Sequence, residues 1–479
     1  MISPDSKKSV PLFLSVIPGL SVIPGLSVIP GLSVIPGLTR NPGPKRRDSG
    51  FGGNEKVCKR IFRNGIRHLA FCVVTLGLIG TTALVQGRTN ESQEAIQTVV
   101  GGNSEFAFDL YAKLKDDPDI KKAGGNLFFS PYSISTALAM TWAGARGETE
   151  KRMAEVLHFT LPQAELHKSF GSLERQLNEA GEKGLYELSV ANALWGQAGL
   201  NFLDAFLELT EKSYGAGLRE VDFVTQTEKT RQIINAWVEE KTREKIKNLI
   251  QPGVLNALTR LVLTNAIYFK GDWAHQFDKK QTKDAPFNLN RHKQVTVPTM
   301  HIKEKFKYWA DNRLQVLELP YKGEELSMII LLPNEVDGLA EIEKTLTIEK
   351  LNEWTKGLRT QEVFVYMPKF KMATKFELAD YLKKMGMPDA FSLPPADFSG
   401  MTGDKSLFIS NVIHKAFVAV DEEGTEAAAA TGVTMKLTSA PAPPAVFRAD
   451  HPFIFIIKDN RSKSILFMGR LKKPEQKDE

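Results

Sequence analysis

Hydrophobic positions recur at helical spacing through much of residues 90–250. An amphipathic helix places apolar residues three and four positions apart, so that they line one face. This pattern predicts helices at 101–115, 131–144 and 228–247. The residues expected to face inward are Phe106, Leu110 and Leu114 in the first helix, and Ile233, Ile234, Trp237 and Val238 in the third. Pro131 stands where the second helix should begin, a position that favours proline.

The later part of the chain favours strands. Short runs rich in β-branched and aromatic residues occur there, and such runs are typical of strands. The predicted strands are 260–269, 327–332, 362–366, 417–420, 453–457 and 465–467. Helices come first and strands later, without regular alternation, and no Gly/Pro-rich linker follows residue 90. This order indicates one large α+β domain over 88–479.

The segment 422–439 repeats with a period of two. Four alanines follow Glu426, and propensity alone would make them a helix leading into a proline-rich linker. Alternate residues nonetheless separate into two faces, as in a half-buried strand. One face holds Thr425, Ala427, Ala429, Thr431, Val433, Met435 and Leu437; the other holds Glu426, Ala428, Ala430, Gly432, Thr434, Lys436 and Thr438. Prolines begin only at Pro441, so the segment can serve both as an exposed loop and as a central strand.

Residues 1–56 have the composition of a low-complexity leader. Residues 15–38 are four copies of SVIPGL, and a basic stretch follows at 40–47. A proline in every copy argues against a stacked β-solenoid, because each proline removes a ladder donor. We expect 1–56 not to belong to the native protein and translation to begin near Val57.

Residues 57–87 have the pattern of a secretory signal peptide. Basic residues precede an apolar run at 69–83, and small residues near Gly87 suit cleavage. The run is shorter than the roughly 20 apolar residues that a spanning helix needs. We therefore expect a secreted or periplasmic protein with no membrane anchor after cleavage.

The basic character of the chain resides in its leader. Residues 1–87 carry 11 Lys and Arg against 3 Asp and Glu. The whole chain has a net charge of +6, so residues 88–479 carry −2 and offer no electrostatic reason to bind nucleic acid or anionic lipid. Both cysteines, Cys58 and Cys72, also lie in the leader, which excludes a disulfide framework or thiolate metal site beyond it.

Common catalytic and nucleotide-binding motifs are absent from the sequence. It contains no G-x-S-x-G or S-x-x-K, no H-E-x-x-H, no Walker A loop and no G-x-G-x-x-G. Its eight histidines are scattered. We therefore expect no enzyme, no metal and no cofactor.

Seven motifs, in order and at family spacing over residues 97–473, resemble those of the serpins, a family of protease inhibitors. They are 126–134 (NLFFSPYSI), 264–273 (TNAIYFKGDW), 367–371 (MPKFK), 396–401 (ADFSGM), 422–431 (EEGTEAAAAT), 447–453 (FRADHPF) and 467–470 (FMGR). The resemblance implies an α+β fold with three β-sheets and an exposed reactive loop. After cleavage by a serine protease, that loop would insert into sheet A and trap the acyl-enzyme.

The resemblance also assigns expected roles to individual residues. The hinge where insertion begins would comprise Glu422, Gly424, Thr425, Glu426, Ala427, Ala428, Ala429, Ala430 and Thr431. A polar cluster beneath the parting strands, the shutter, would comprise Ser130, Ser133, Asn265 and His414. Trp273 would mark the breach, where the loop first enters.

Family spacing from Gly424 places the reactive bond at Thr438–Ser439, with Leu437–Thr438 as the alternative. Either bond suits a protease with a small or apolar primary pocket, of elastase, chymotrypsin or subtilisin type. We expect a monomeric inhibitor without a cofactor. A non-inhibitory serpin, acting as carrier, chaperone or plain protease substrate, is the alternative; the small residues of the hinge disfavour it.

Overall fold

A computed structural model describes residues 92–475 apart from residue 216 and the segment 426–443. The predicted leader, signal peptide and reactive bond, and the hinge residues from Glu426 to Thr431, lie outside the described residues. The helices are α1 (92–114), α2 (Pro118–Lys122), α3 (Pro131–Trp142), α4 (Gly147–Leu157), α5 (Gln163–Glu182), α6 (Asp204–Tyr214), α7 (Thr227–Lys241), α8 (Leu339–Thr345), α9 (Ile348–Lys356), α10 (Ala379–Met385) and α11 (Ser399–Thr402).

The strands occupy most of the remaining described chain. They are β1 (Leu127–Phe129), β2 (Glu187–Gln197), β3 (Leu218–Val221), β4 (Leu261–Asp272), β5 (Lys283–Asn290), β6 (Lys293–Ala310), β7 (Leu314–Pro320), β8 (Leu326–Pro333), β9 (Arg359–Pro368), β10 (Phe370–Glu377), β11 (Asn411–Val420), β12 (Gly424–Thr425), β13 (Ala445–Arg448), β14 (Phe453–Asp459) and β15 (Ile465–Leu471). Each of the six predicted strands lies within or overlaps one of them.

The three predicted helices are present, with one correction to a packing face. Phe106, Leu110 and Leu114 are fully buried in α1, as predicted. In α7, however, Ile233 is 45% exposed, because only its neighbour Ile234 shares the buried stripe with Val238. The helix also ends at Lys241 rather than 247, and the next turn contains backbone at positive φ, at Arg243 and Glu244.

Helix α3 lies at the centre of the molecule. Ser130 caps it by accepting a hydrogen bond from the Ser133 N–H, and Pro131 occupies its first turn. All 12 of its residues are buried. It contacts β2 and β4 of one sheet and β15 of the other, so α3 connects the two sheets that the described residues form.

Sheet A has the strand order β10-β11-β4-β2-β3, with the two-residue β12 added against β4. Strands β11 and β4 run parallel, whereas β10 with β11 and β2 with β4 run antiparallel. A parallel pair joined by a long connection leaves room for an antiparallel strand between its members. That junction is where the sequence-predicted site lies.

The other strands form a nine-stranded sheet of order β1-β15-β14-β8-β7-β6-β9-β13, with β5 against β6. Three sheets were expected, and in the described residues two of these are joined through β6. At 18 residues, β6 is long enough to pair with β5 and β9 along most of its length and with β7 at its end. No helix among the described residues is long and apolar enough to cross a membrane.

Candidate functional site

Strands β4 and β11 pair through backbone hydrogen bonds along part of their length and stop pairing towards one end. Their register runs from Val262 beside Asn411 to Tyr268 beside Phe417. Beyond that point β12 takes over, with Gly424 beside Asp272 in an antiparallel pairing with β4. The described chain therefore begins a new strand against β4, at the end where β11 stops pairing with it.

The two hinge residues at this point are built for close packing. A Cβ on Gly424 would lie 2.1 Å from the Gly271 carbonyl oxygen, so only glycine allows the strand to approach β4 this closely. Thr425 is fully buried, and its hydroxyl lies 3.0 Å from the Tyr321 hydroxyl. Its side chain points into the core, on the face that the period-two pattern predicted for it.

The residues just before the hinge are held by charges and backbone hydrogen bonds. The Glu422 carboxylate accepts from the Lys369 ammonium and the Thr282 hydroxyl, each at 2.7 Å. The neighbouring Glu423 carboxylate contacts the Lys279 ammonium. Burial acts to raise the pKa of Glu422, but the bonds from Lys369 and Thr282 outweigh it and hold the pKa below its usual value.

Trp273 fastens this segment to the end of β4. Its backbone N–H donates to the Glu423 carbonyl at 2.9 Å, and its indole N–H donates to the Asp421 carbonyl at 3.0 Å. Its ring is 3% exposed and stacks on Tyr321, with centroids 4.6 Å apart. The predicted breach residue thus contacts both the chain entering the hinge and the aromatic ring beneath Thr425.

The four predicted shutter residues form one buried hydrogen-bond network under β4 and β11. His414 lies beside Asn265 in the strand register, and its Nδ1 contacts the Asn265 Oδ1. The Ser130 N–H donates to His414 Nε2 at 3.2 Å. The amide of Asn265 donates to the Ser133 hydroxyl at 2.6 Å. All four residues are at most 1% exposed.

These partners determine which nitrogen of the His414 ring carries the proton. Since Nε2 accepts from a backbone N–H, Nδ1 must carry the proton that it donates to Asn265, and His414 is neutral. Burial lowers the pKa of His414 from 6.5 to about 3, in agreement with that assignment. Separation of β4 from β11 would therefore break the contact between His414 and Asn265 and leave both groups in need of a new partner.

Asn192 in β2 completes the network and was missed by sequence reasoning. Its Oδ1 accepts from the Ser133 hydroxyl at 3.0 Å and from the Asn265 amide. Asn192 pairs with Asn265 across β2 and β4, so it continues the same cross-sheet row as His414. The available signal was a buried amide within the otherwise apolar run VANALW.

Comparisons with known proteins agree with this arrangement. Residues 101–474 match the family described as Serpin (serine protease inhibitor). The chain belongs to the serpin family. It is 45% identical over 378 residues to leukocyte elastase inhibitor of Xenopus laevis, covering 78% of this chain and 98% of that protein. The family description and the name of this relative are those of protease inhibitors and not of catalysts, so this serpin is not an enzyme.

Solved serpin structures have the same fold. Uncleaved ovalbumin matches with a TM-score of 0.71 and 32% identity, over 79% of this chain and all of that one. Human thyroxine-binding globulin in complex with thyroxine matches with a TM-score of 0.72 and 32% identity, over 80% of this chain and all of that one. The predicted α+β serpin fold is confirmed.

Proposed function

We propose that this serpin inhibits an elastase-type serine protease as a suicide substrate. The protease serine attacks the carbonyl of Thr438, or of Leu437 in the alternative register, and releases the following residue as a free amine. The segment that precedes the broken bond, now joined to the protease serine as an ester, then inserts between β4 and β11 before water can hydrolyse that ester. The name of the Xenopus laevis relative supports an elastase-type target, as do the small and apolar residues at 437–439.

One observation carries this proposal: β12 is the first step of a strand between β4 and β11. Gly424 and Thr425 already pair with Asp272 and Gly271 of β4, and Thr425 is buried. An insertion that starts from a formed pair avoids the costly first closure of a new strand contact. Insertion therefore needs only to lengthen the existing pairing between β12 and β4, and does not have to form a first contact.

The register of β12 gives the geometry of the inserted state. Extending the pairing of Gly424 with Asp272 one residue at a time places Thr431 opposite Asn265 and Met435 opposite Leu261, where β4 begins. At about 3.3 Å per residue, this strand would run roughly 36 Å across the sheet. The proposed bond at 438–439 lies just beyond that end, so a bound protease would be carried the length of the sheet.

In this register the side of each inserted residue is set by Thr425. Ala427, Ala429 and Thr431 would follow it into the core, and their small size suits a space between packed strands. Thr431 would arrive between Asn265 and His414, whose contact must break for the strand to pass. Its hydroxyl can both donate and accept, so it would offer replacement partners to both groups.

The experiment is a panel of elastase-type, chymotrypsin-type and subtilisin-type proteases incubated with the protein. A denaturing gel detects covalent complexes, and mass spectrometry of the released peptide identifies the bond. We expect a complex stable to denaturation with at least one elastase-type protease, and cleavage after residue 437 or 438. Cleavage by every protease without any covalent complex would instead favour the non-inhibitory alternative.

We further propose that the serpin acts outside the cytoplasm, on the basis of the signal-like pattern at 57–87. Amino-terminal sequencing of protein exported from an expressing cell tests this directly. The expected sequence begins close to residue 88. An exported protein that retains residues before Val57 would contradict both the expected start and the expected cleavage.

A further inference from the structure

A partly exposed sheet face, whose last strand begins six residues along the chain from Ser439, carries a stack of aromatic rings with a cation at each end. The face belongs to strands β6, β9 and β13. It consists of His301, Lys303, Phe364, Tyr366, Val446 and Arg448, which we name the docking face. The opposite sides of the same strands are buried in the core through Met300, Val365 and Phe447.

The rings form a continuous layer across the three strands. The Arg448 guanidinium lies 3.8 Å from the centre of the Tyr366 ring. Tyr366 stacks on His301 at 4.6 Å, and His301 stacks on Phe364 at 6.0 Å. The Lys303 ammonium lies 5.2 Å from the Phe364 ring centre. Contacts of this kind hold both cations in place, which reduces the entropy that a partner must remove on binding.

Three features of this face are typical of a binding surface. Val446 is 51% exposed, although it is a large apolar residue. The Nε2 of His301 is buried and has no hydrogen-bond partner among the described residues. No carboxylate in the described part of the chain forms a salt bridge with Arg448, whereas Lys303 has a partly exposed one to Glu362 at 3.0 Å. Among the described residues, the face thus offers exposed apolar area and a guanidinium that has no carboxylate partner there.

The length of the intervening chain indicates what can reach this face. Ser439 precedes Ala445, the first residue of β13, by six residues. Six residues span at most about 20 Å. A protease domain of about 220 residues has a radius of gyration of roughly 17 Å. A protease that holds the bond at 438–439 is therefore kept within reach of β13 and its neighbours.

We infer that the docking face is a second contact site for the target protease, which selects proteases with an acidic surface beyond the cleaved bond. This inference rests on the proposed cleavage at 437–439. Complementary charge acts mainly on the association rate, and it weakens as salt is added. The loop residues would thus determine which bond is cleaved, and the docking face would determine which proteases bind fastest.

The test compares a site variant with a charge-matched control. The site variant is Lys303→Glu/Arg448→Glu. The control is Lys229→Glu/Lys384→Glu, two exposed lysines on α7 and α10, outside the docking face. The protease is pancreatic elastase, used as such and after succinylation of its lysines, which makes its surface acidic. The readout is the second-order rate constant for attack on the reactive bond, with covalent complex and cleaved serpin counted together, at 50 and 200 mM salt.

We expect the site variant to be cleaved about tenfold more slowly than wild type by the succinylated elastase at 50 mM salt, with a smaller loss at 200 mM. The control should change less than threefold. Tyr366→Ala, which removes the ring under Arg448 but no charge, should slow cleavage by the same protease. Equal rates for the site and control variants would overturn the inference.

Because attack on the bond is measured whether or not the protease is then trapped, the inference stands or falls independently of the inhibitory proposal. Slow cleavage of the site variant without covalent complexes in any protein would support the docking face and refute the inhibitor. Dextran sulfate binding that is lost in the site variant, with unchanged cleavage by both elastase forms, would assign the face to a polyanion and overturn the inference.

Discussion

At the scale of single residues, we expect His414 to help keep sheet A closed, because it bonds across the junction of β4 and β11. The folded protein holds it neutral, with a pKa of about 3 against the ordinary 6.5. Between these values the unfolded chain binds a proton that the folded chain does not. The free energy of unfolding is therefore unaffected by this titration above about pH 6.5. As the pH drops from there towards 3, protonation of His414 in the unfolded chain lowers it by up to about 1.4 kcal/mol per pH unit.

Replacing His414 with a residue that does not titrate should remove this pH dependence. His414→Gln lowers stability at pH 7, and we expect that deficit to shrink as the pH falls to 4.5. Other titrating groups are common to both proteins and cancel in the difference. The midpoint of urea unfolding at pH 7, 6 and 4.5 measures it. A deficit of the same size at all three values would contradict the neutral, buried assignment.

Glu422 acts at the other end of the same junction. Its partly buried ion pair with Lys369 helps to keep the hinge in place, and a lysine at this 3% exposed position would bury an unpaired charge, at a cost of several kcal/mol. Glu422→Lys would also bring a third ammonium close to Lys369 and Lys279. We expect this variant to release the hinge and to form chains of molecules on mild heating, as one molecule's segment enters another's sheet.

Native gels of heated samples measure this chain formation. The control is Asp380→Lys, which breaks an exposed ion pair with Lys383 that is worth at most about 1 kcal/mol. The control should remain monomeric under conditions that convert Glu422→Lys into ladders. Monomeric Glu422→Lys at the same temperature would show that the carboxylate does not hold the hinge.

At the scale of elements, the sequence predicted where strands lie along the chain better than it predicted which strands pair with one another. The apolar runs that became β4, β8 and β14 are buried over most of their length and stand out in one dimension. Strands β5 and β6 alternate weakly and carry many charges, because one of their faces is exposed, whereas the mostly buried β7 has its apolar run interrupted by Gln315 and Glu318. Periodicity could not detect them, because these strands form mainly through pairing with the strands next to them along the chain, and such pairing leaves little pattern within a single strand.

The site shows the same division. The four predicted shutter residues do meet, but their hydrogen bonds depend on a strand register that one sequence does not contain. Asn192 was missed because its partners, Ser133 and Asn265, lie 59 and 73 positions away. The prediction placed both Ile233 and Ile234 inward, but two adjacent residues cannot both lie on the narrow buried stripe of a helix. The sequence pattern did not show that Ile234 is the buried one.

Element β12 makes its own prediction, because the burial of Thr425 sets the side of every residue inserted after it. Thr425→Arg forces a charge into the core, at a cost of several kcal/mol. Each 1.4 kcal/mol slows insertion about tenfold, so hydrolysis of the acyl-enzyme should win. We expect this variant to be cleaved at the same bond while the protease stays active.

Glu426→Arg is the matched control, since its side chain would point away from the core after insertion. Covalent complex and cleaved product are counted on denaturing gels for wild type and both variants, with one elastase-type protease. Glu426→Arg should still trap most of the protease. Equal trapping by the two arginine variants would disprove the predicted alternation of faces.

At the scale of the whole molecule, we propose that sheet A can accept the segment after Thr425 as an additional strand. Sheet A pairs β4 with β11 over seven residues, and β12 begins the intervening strand at its open end. Insertion would add two rows of backbone hydrogen bonds and bury Val433 and Met435, each worth about 1.5–3 kcal/mol. The intact protein is therefore expected to be less stable than its cleaved form.

The most direct measurement of this claim is the melting temperature before and after cleavage within 432–439, with both pieces of the chain retained. The account predicts a rise on the order of 10 °C or more in the wild type, and a much smaller rise in Thr425→Arg, whose hinge cannot enter the sheet. An unchanged melting temperature after complete cleavage of the wild type would contradict insertion between β4 and β11.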